Sequence, residues 1–222
     1  MATYLVRVVL TDRPGALGAV ASRIGSVRGD VVAVDIVERG QGRAVDEFVV
    51  DLPDEELVPL LVAEIEEVDG AAVEELRPLA DGGRDRRLDA YDSATAILVE
   101  RSPERVLEVV VALARRELDC AWAVVVDASE PTMVAVSGRP PAAAWLATNA
   151  GGTPVAESPA ARPDIASVTL ASWDLVLAVG RPGWRFGVHE LRLLDALARL
   201  ADARWADLAD RDPRTARPGT LV

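Results

Sequence analysis

The chain has 222 residues, half of them apolar and 27% charged, which is enough apolar surface for folded cores and excludes a disordered polyelectrolyte; the length suits two domains. Net charge is −12, with 7 Arg against 16 acids in the first 80 residues and 17 Arg against 20 acids after them, so the surface repels phosphate backbones and argues against nucleic-acid partners. A lone Cys120 and a lone His189 make neither a disulfide nor a zinc site, all 24 basic residues are Arg so Schiff-base lysine chemistry is excluded, and no metal or cofactor is expected.

No stretch approaches the ~20 apolar residues of a membrane span, and Met1-Ala2-Thr3-Tyr4 lacks the basic start of a signal peptide. The expected location is the cytoplasm, with no membrane partner. Thr3 to Leu10 alternates Tyr4, Val6, Val8 and Leu10 against Arg7, a half-buried strand. Asp12-Arg13-Pro14-Gly15 turns the chain into a helix whose inward positions are Leu17, Val20, Ala21, Ile24 and Val27. Val31 to Glu38 and Ala44 to Leu52 read as strands joined by the loop Arg39-Gly40-Gln41-Gly42-Arg43. Leu57, Leu60, Leu61, Ile65 and Val68 mark a second helix, with Pro59 in its first turn, and Ala71 to Leu79 a last strand. The order βαββαβ is the ferredoxin-like α+β layout, two helices on one face of a four-stranded antiparallel sheet.

The helix start behind the turn offers the N–H groups of Gly15, Ala16 and Leu17 to a carboxylate; Gly15 permits close approach, and Asp12 adds an acceptor for an ammonium. The same four turn residues also serve a bare strand-to-helix connection. Asp12, Pro14, Gly15 and Leu17, with Gly29-Asp30-Val31-Val32 and the run AVDEFVV, make residues 2–79 resemble the ACT domain, a module that binds amino acids and regulates enzymes or transcription factors. The resemblance implies a ligand held between two ACT units, by Asp12, Pro14, Gly15, Ala16 and Leu17 of one and Asp30, Val31 and Val32 of the other. Asp30 stands where Asn is common in the family, which disfavours acidic ligands.

Ala80-Asp81-Gly82-Gly83-Arg84-Asp85 has the composition of a linker. Beyond it, Ser102 caps a helix reaching Glu117, with Val106, Val110, Leu113 and Ala114 inward. Strands are predicted at Cys120 to Val126, Thr132 to Ser137, Ile165 to Leu170 and Leu175 to Gly180, with a long excursion from Gly138 to Asp164. A helix from Val188 to Leu208 precedes a flexible tail over 210–222. The segment SWDLVLAVGRPGWRFGVHELRLLDALARLADARW resembles the end of a GAF domain, a sensory module of PAS-like fold, and so implies an antiparallel sheet with flanking helices over 86–209. Cys120 reads as a buried core thiol, His189 as a solvated helix-start residue, and the five Trp as core and loop anchors, Trp145 being a candidate pocket residue.

Two apolar stripes on the last helix, one through Leu191, Leu194, Ala198, Ala201, Trp205 and Leu208 and one through Leu193, Leu197 and Leu200, leave one for a partner helix. With an open sheet face expected to be apolar, this predicts a homodimer or larger homo-oligomer. No GxGxxG after a strand, P-loop, HExxH or GxSxG occurs. The sequence therefore reads as a non-enzymatic regulatory protein that senses an amino acid through its ACT unit and signals to a protein partner in trans. The alternatives are a regulatory subunit of a metabolic enzyme, or a dimerisation protein without a small-molecule ligand.

Overall fold

The computed structural model describes residues 2–79, 86–127, 129–130, 132–149, 164–183 and 185–211. The predicted linker at 80–85, the excursion over 150–163, Trp184 and the tail beyond Arg211 lie outside the described residues. The chain packs as two compact units, Met1–Asp85 and Arg86–Val222.

The first unit runs β1 (Ala2–Thr11), α1 (Ala16–Ser26), β2 (Asp30–Gly40), β3 (Arg43–Leu52), a 3-10 turn (Glu55–Leu57), α2 (Val58–Glu66) and β4 (Ala72–Pro78). Its sheet has the order β2-β3-β1-β4, every pair antiparallel. Tyr4, Val6, Val8 and Leu10 of β1, with Phe48, Val50 and Leu52 of β3, meet Val20 and Ile24 of α1 and Leu61 and Ile65 of α2. Two predicted inward residues are exposed: Leu17 (37%) and Leu60 (48%). In α1 the buried stripe is Ala16, Val20 and Ile24 at four-residue steps, so Leu17 sits a hundred degrees further round the helix; Leu61 and Ile65 displace Leu60 in the same way.

The second unit runs α3 (Arg86–Leu98), α4 (Pro103–Glu117), β5 (Trp122–Asp127), β6 (Met133–Gly138), α5 (Ala143–Asn149), β7 (Ile165–Leu170), β8 (Leu175–Gly180) and α6 (Val188–Arg211). Its antiparallel sheet is ordered β6-β5-β8-β7. The Ser102 hydroxyl caps α4 by accepting from the Arg105 N–H. Val125, Leu177 and Val179 pack with Val110 and Ala114 of α4 and Leu197, Ala201 and Trp205 of α6. Arg181, at the end of β8, donates to Glu190 at the start of α6 and lies over the Phe186 ring. Neither α3 nor α5 stands out in the sequence, because α3 buries only Ser93 and Ile97 fully among its described side chains and α5 lies in a Pro- and Ala-rich excursion. The helix α6 also continues to Arg211, three residues past its predicted end.

The second stripe of α6 is not left for a partner. Leu197 is buried and Leu193 and Leu200 pack against the same core, because α6 touches β7, α3 and α4, and three neighbours occupy a wider face than one. Exposed apolar side chains of this unit include Leu88, Tyr91 and Leu98 of α3, with Val99, Val136 and Val188 elsewhere. No described helix is long and apolar enough to cross a membrane.

The helix-free face of the first sheet also departs from expectation. Leu5 and Val49 are apolar there, but the centre is ionic and buried: Arg7 is 4% exposed. Its Nη2 lies 2.6 Å and its Nε 3.1 Å from Glu47 Oε1, its Nη1 reaches Glu75 Oε2 at 2.8 Å, and Arg77 Nε reaches the other oxygen of Glu75 at 3.1 Å. Residues opposite one another on β3, β1 and β4 are thus tied by one guanidinium. Truncating one member of such a network strands buried charge. Arg7→Met is expected to lower unfolding free energy by about 3–5 kcal/mol, read by urea denaturation.

Candidate functional site

The turn between β1 and α1 is built from backbone. Asp12 N–H donates to Gly42 O at 2.9 Å, Arg13 N–H to Thr11 O at 2.8 Å, and Gly15 takes φ 87°, ψ −11° as the residue capping α1. That left-handed conformation favours glycine, and no atom lies within 4 Å of where a Cβ would be. The space beside Gly15 is open. Of the predicted N–H donors, Ala16 is already committed to Arg13 O at 3.2 Å and its methyl group is buried in the core. Among the described residues, the N–H groups of Gly15, Leu17 and Gly18 have no backbone acceptor. The amides left without a backbone acceptor at this helix start are therefore those of Gly15, Leu17 and Gly18, with exposed Pro14 beside them and the positive end of the helix dipole behind them.

The other predicted contributors are arranged differently. Asp12 is engaged: its carboxylate accepts from Arg39 Nη2 at 2.6 Å, a partner the sequence did not suggest. This bond holds Arg39 above its ordinary pKa. Asp30, Val31 and Val32 lie at the far end of the sheet, where Asp30 pairs with Asp51 and Asp51 with Thr3, whereas Asp12 follows Thr11. Thr3 and Thr11 are about 26 Å apart along an extended strand. One chain does not bring the two groups together.

A residue missing from the sequence-based set is Asp46. It is 3% exposed, and Oδ1 has no hydrogen-bond partner. Ala44, Asp46, Phe48, Val50 and Leu52 are the inward row of β3, opposite Leu10, Val8, Val6, Tyr4 and Ala2; a single acid in an apolar row was the available signal. Asp46 shares a rung with Val8 and Ile36, one step along the same face from the rung of Leu10, Ala44 and Arg39. Burial raises its pKa above the usual carboxylate range; nearby Arg39 opposes and Asp12 reinforces the shift.

The folded state thus holds the Asp46 proton more tightly than the unfolded chain does. Stability falls as pH rises from the ordinary carboxylate range through the raised value, and stays lower above it. In Asp46→Asn that fall is expected to vanish, leaving the variant more stable than the parent at neutral pH. Urea melts of both proteins at pH 4 and pH 7 measure the difference.

The second unit holds a cavity of about 490 Å³ lined by Trp122, Trp145, Ile165 and Pro182 among others. It lies on the sheet face where Trp122, Val124 and Ala178 meet Leu146 of α5. Gly180 is required there, since any Cβ would run into the Trp122 indole. Cys120 is buried, its thiol directed at Leu118 O, and His189 is exposed at the start of α6.

The comparison with curated proteins finds no match. Among solved structures, similar chains include an unknown protein from Galdieria sulphuraria (15% identity, TM-score 0.32, covering 45% of this chain and 64% of that one). A formyltetrahydrofolate deformylase from Pseudomonas putida matches at 17% identity and TM-score 0.31, over 42% of this chain and 37% of that one. The chain thus spans less than two thirds of either. The ACT domain from the GTP pyrophosphokinase of Chlorobium tepidum matches at 14% identity and TM-score 0.28, over 36% and 86%. The segment that carries β1, the Gly15 turn, α1 and Asp46 is matched by a family model, and that family is the ACT domain, over residues 4–70.

Proposed function

We infer that this chain is a non-enzymatic regulatory protein whose ACT unit binds an amino acid and passes the bound state to a protein partner in trans, in the cytoplasm. The observation that carries the reading is the start of α1: a left-handed Gly15 with open space beside it, and N–H groups at Leu17 and Gly18 without backbone acceptors. Backbone amides at a helix start favour a carboxylate, and every amino acid has one. The second unit serves as a GAF-like module. Its closing strand, Phe186-bearing loop and Leu-rich helix fit that resemblance, as does an antiparallel sheet with α4 and α6 packed on one face.

Isothermal titration of the full chain with the twenty amino acids tests the reading. Gly15→Val is expected to lose binding at least tenfold, because its side chain enters the open space and a β-branched residue resists positive φ. Unchanged affinity in a folded Gly15→Val protein places the site elsewhere.

The second half of the site comes from another copy. Supporting this, β2 is an edge strand of 11 residues on which Val32, Val34 and Ile36 are exposed, a surface seldom left unpaired in water. Joining two such edges gives the Asp30 to Val32 segment of one copy a route to the Gly15 turn of the other. Light scattering is expected to give a dimeric or larger mass. A monomer persisting at high concentration, with and without amino acids, excludes the shared site and favours a ligand bound within one chain.

A further inference from the structure

Asp46 is the least explained group in the first unit. A buried aspartate, 3% exposed as a residue, is ordinarily paired or hydrogen-bonded, since desolvating its charge alone is costly. Asp46 Oδ1 has no hydrogen-bond donor, although Arg39 is close enough to influence the group's proton affinity and is instead bonded to Asp12. Ile36, its neighbour on β2, is 55% exposed, and Arg39 and Leu17 are exposed as well. Asp46 thus lies on the helix-facing side of β3, toward the end of the sheet from which the chain enters α1, and within electrostatic reach of both Asp12 and Arg39.

We propose that Asp46 receives the cationic group of the ligand, while the start of α1 receives its carboxylate. The two seats have opposite polarity and share one end and one face of the domain, as a zwitterion requires. Asp12, already neutralised by Arg39, is the lesser contributor. With two carboxylates and one guanidinium in electrostatic reach of one another, the ligand class is an amino acid with a neutral or basic side chain; a second ligand carboxylate would meet Asp46 and Asp12 as like charges. The inference rests on the amino-acid reading of this site but concerns a separate contact. It also assigns a cause to the missing donor: a carboxylate already bonded to protein N–H groups gains less from a ligand ammonium than one held bare.

The test is titration calorimetry on full-length parent and Asp46→Asn proteins, using the twenty amino acids, the des-amino acid of the best binder and the corresponding simple amine. Asp46→Asn is expected to weaken the amino acid at least tenfold and leave the des-amino acid unchanged. Without ligand, its melting temperature is expected to be higher than the parent's. Unchanged amino-acid affinity in Asp46→Asn, with Gly15→Val still abolishing it, overturns the role of Asp46 and leaves the amino-acid site standing. If no amino acid binds but the amine binds the parent and not Asp46→Asn, the ammonium seat holds and the amino-acid reading fails. No binding by any probe overturns both. Loss of binding with a lower melting temperature shows that Asp46 is structural and overturns the proposal.

Discussion

Two acids stand side by side in β3, and the first unit depends on their pointing opposite ways. Glu47 goes to the helix-free face and closes on Arg7; Asp46 goes to the helix face, in the row of Phe48 and Val50. Strand geometry leaves no third choice, and Arg7 decides between the two, because a slip of one residue would exchange them. The guanidinium reaches Glu47 on one side and Glu75 on the other, so it fixes the register of three strands at once. Its worth lies less in net stabilisation than in excluding other pairings, since a buried charge left over in any shifted register is costly.

Much of this was legible in the sequence. Strand alternation in β1, the turn Asp12 to Gly15, the Ser102 cap and the long Leu-rich helix each have local causes, and each lies where local chemistry puts it. The misreadings share one physical origin. The helix-free face reads as apolar because an isolated strand gives no sign of the carboxylates that β3 and β4 bring to Arg7. Leu17 reads as inward in the sequence because the choice between Ala16 and Leu17 for the buried stripe is made by the sheet, which periodicity does not contain. Asp46 was legible in principle, as the single acid in the inward row of β3, but only after the neighbouring residues had been assigned to a face.

The two halves of the candidate site differ in the kind of chemistry they use. The helix start offers main-chain amides, which hold position whatever side chains surround them. The charges of Asp46 and Arg39 sit on side chains of the β2–β3 hairpin, separated in sequence from α1. In the proposed site, substitutions in the hairpin would change the charges and leave the amides as they are.

In the second unit, Trp173 lies in the turn joining β7 to β8 and stacks on Trp205 of α6, ring centroids 4.8 Å apart and planes inclined by 15°, while the neighbouring Ser172 bonds Asp202 of the same helix. Two indoles so close and so nearly parallel do not absorb independently. Their transition dipoles couple, and the pair acts as one chromophore whose split band exists only while the turn is seated on the helix. All five Trp of the chain fall between positions 122 and 205, so the indole circular dichroism of this protein observes the second unit and is blind to the first. Optical melting curves and backbone-based ones therefore follow different events in the same molecule.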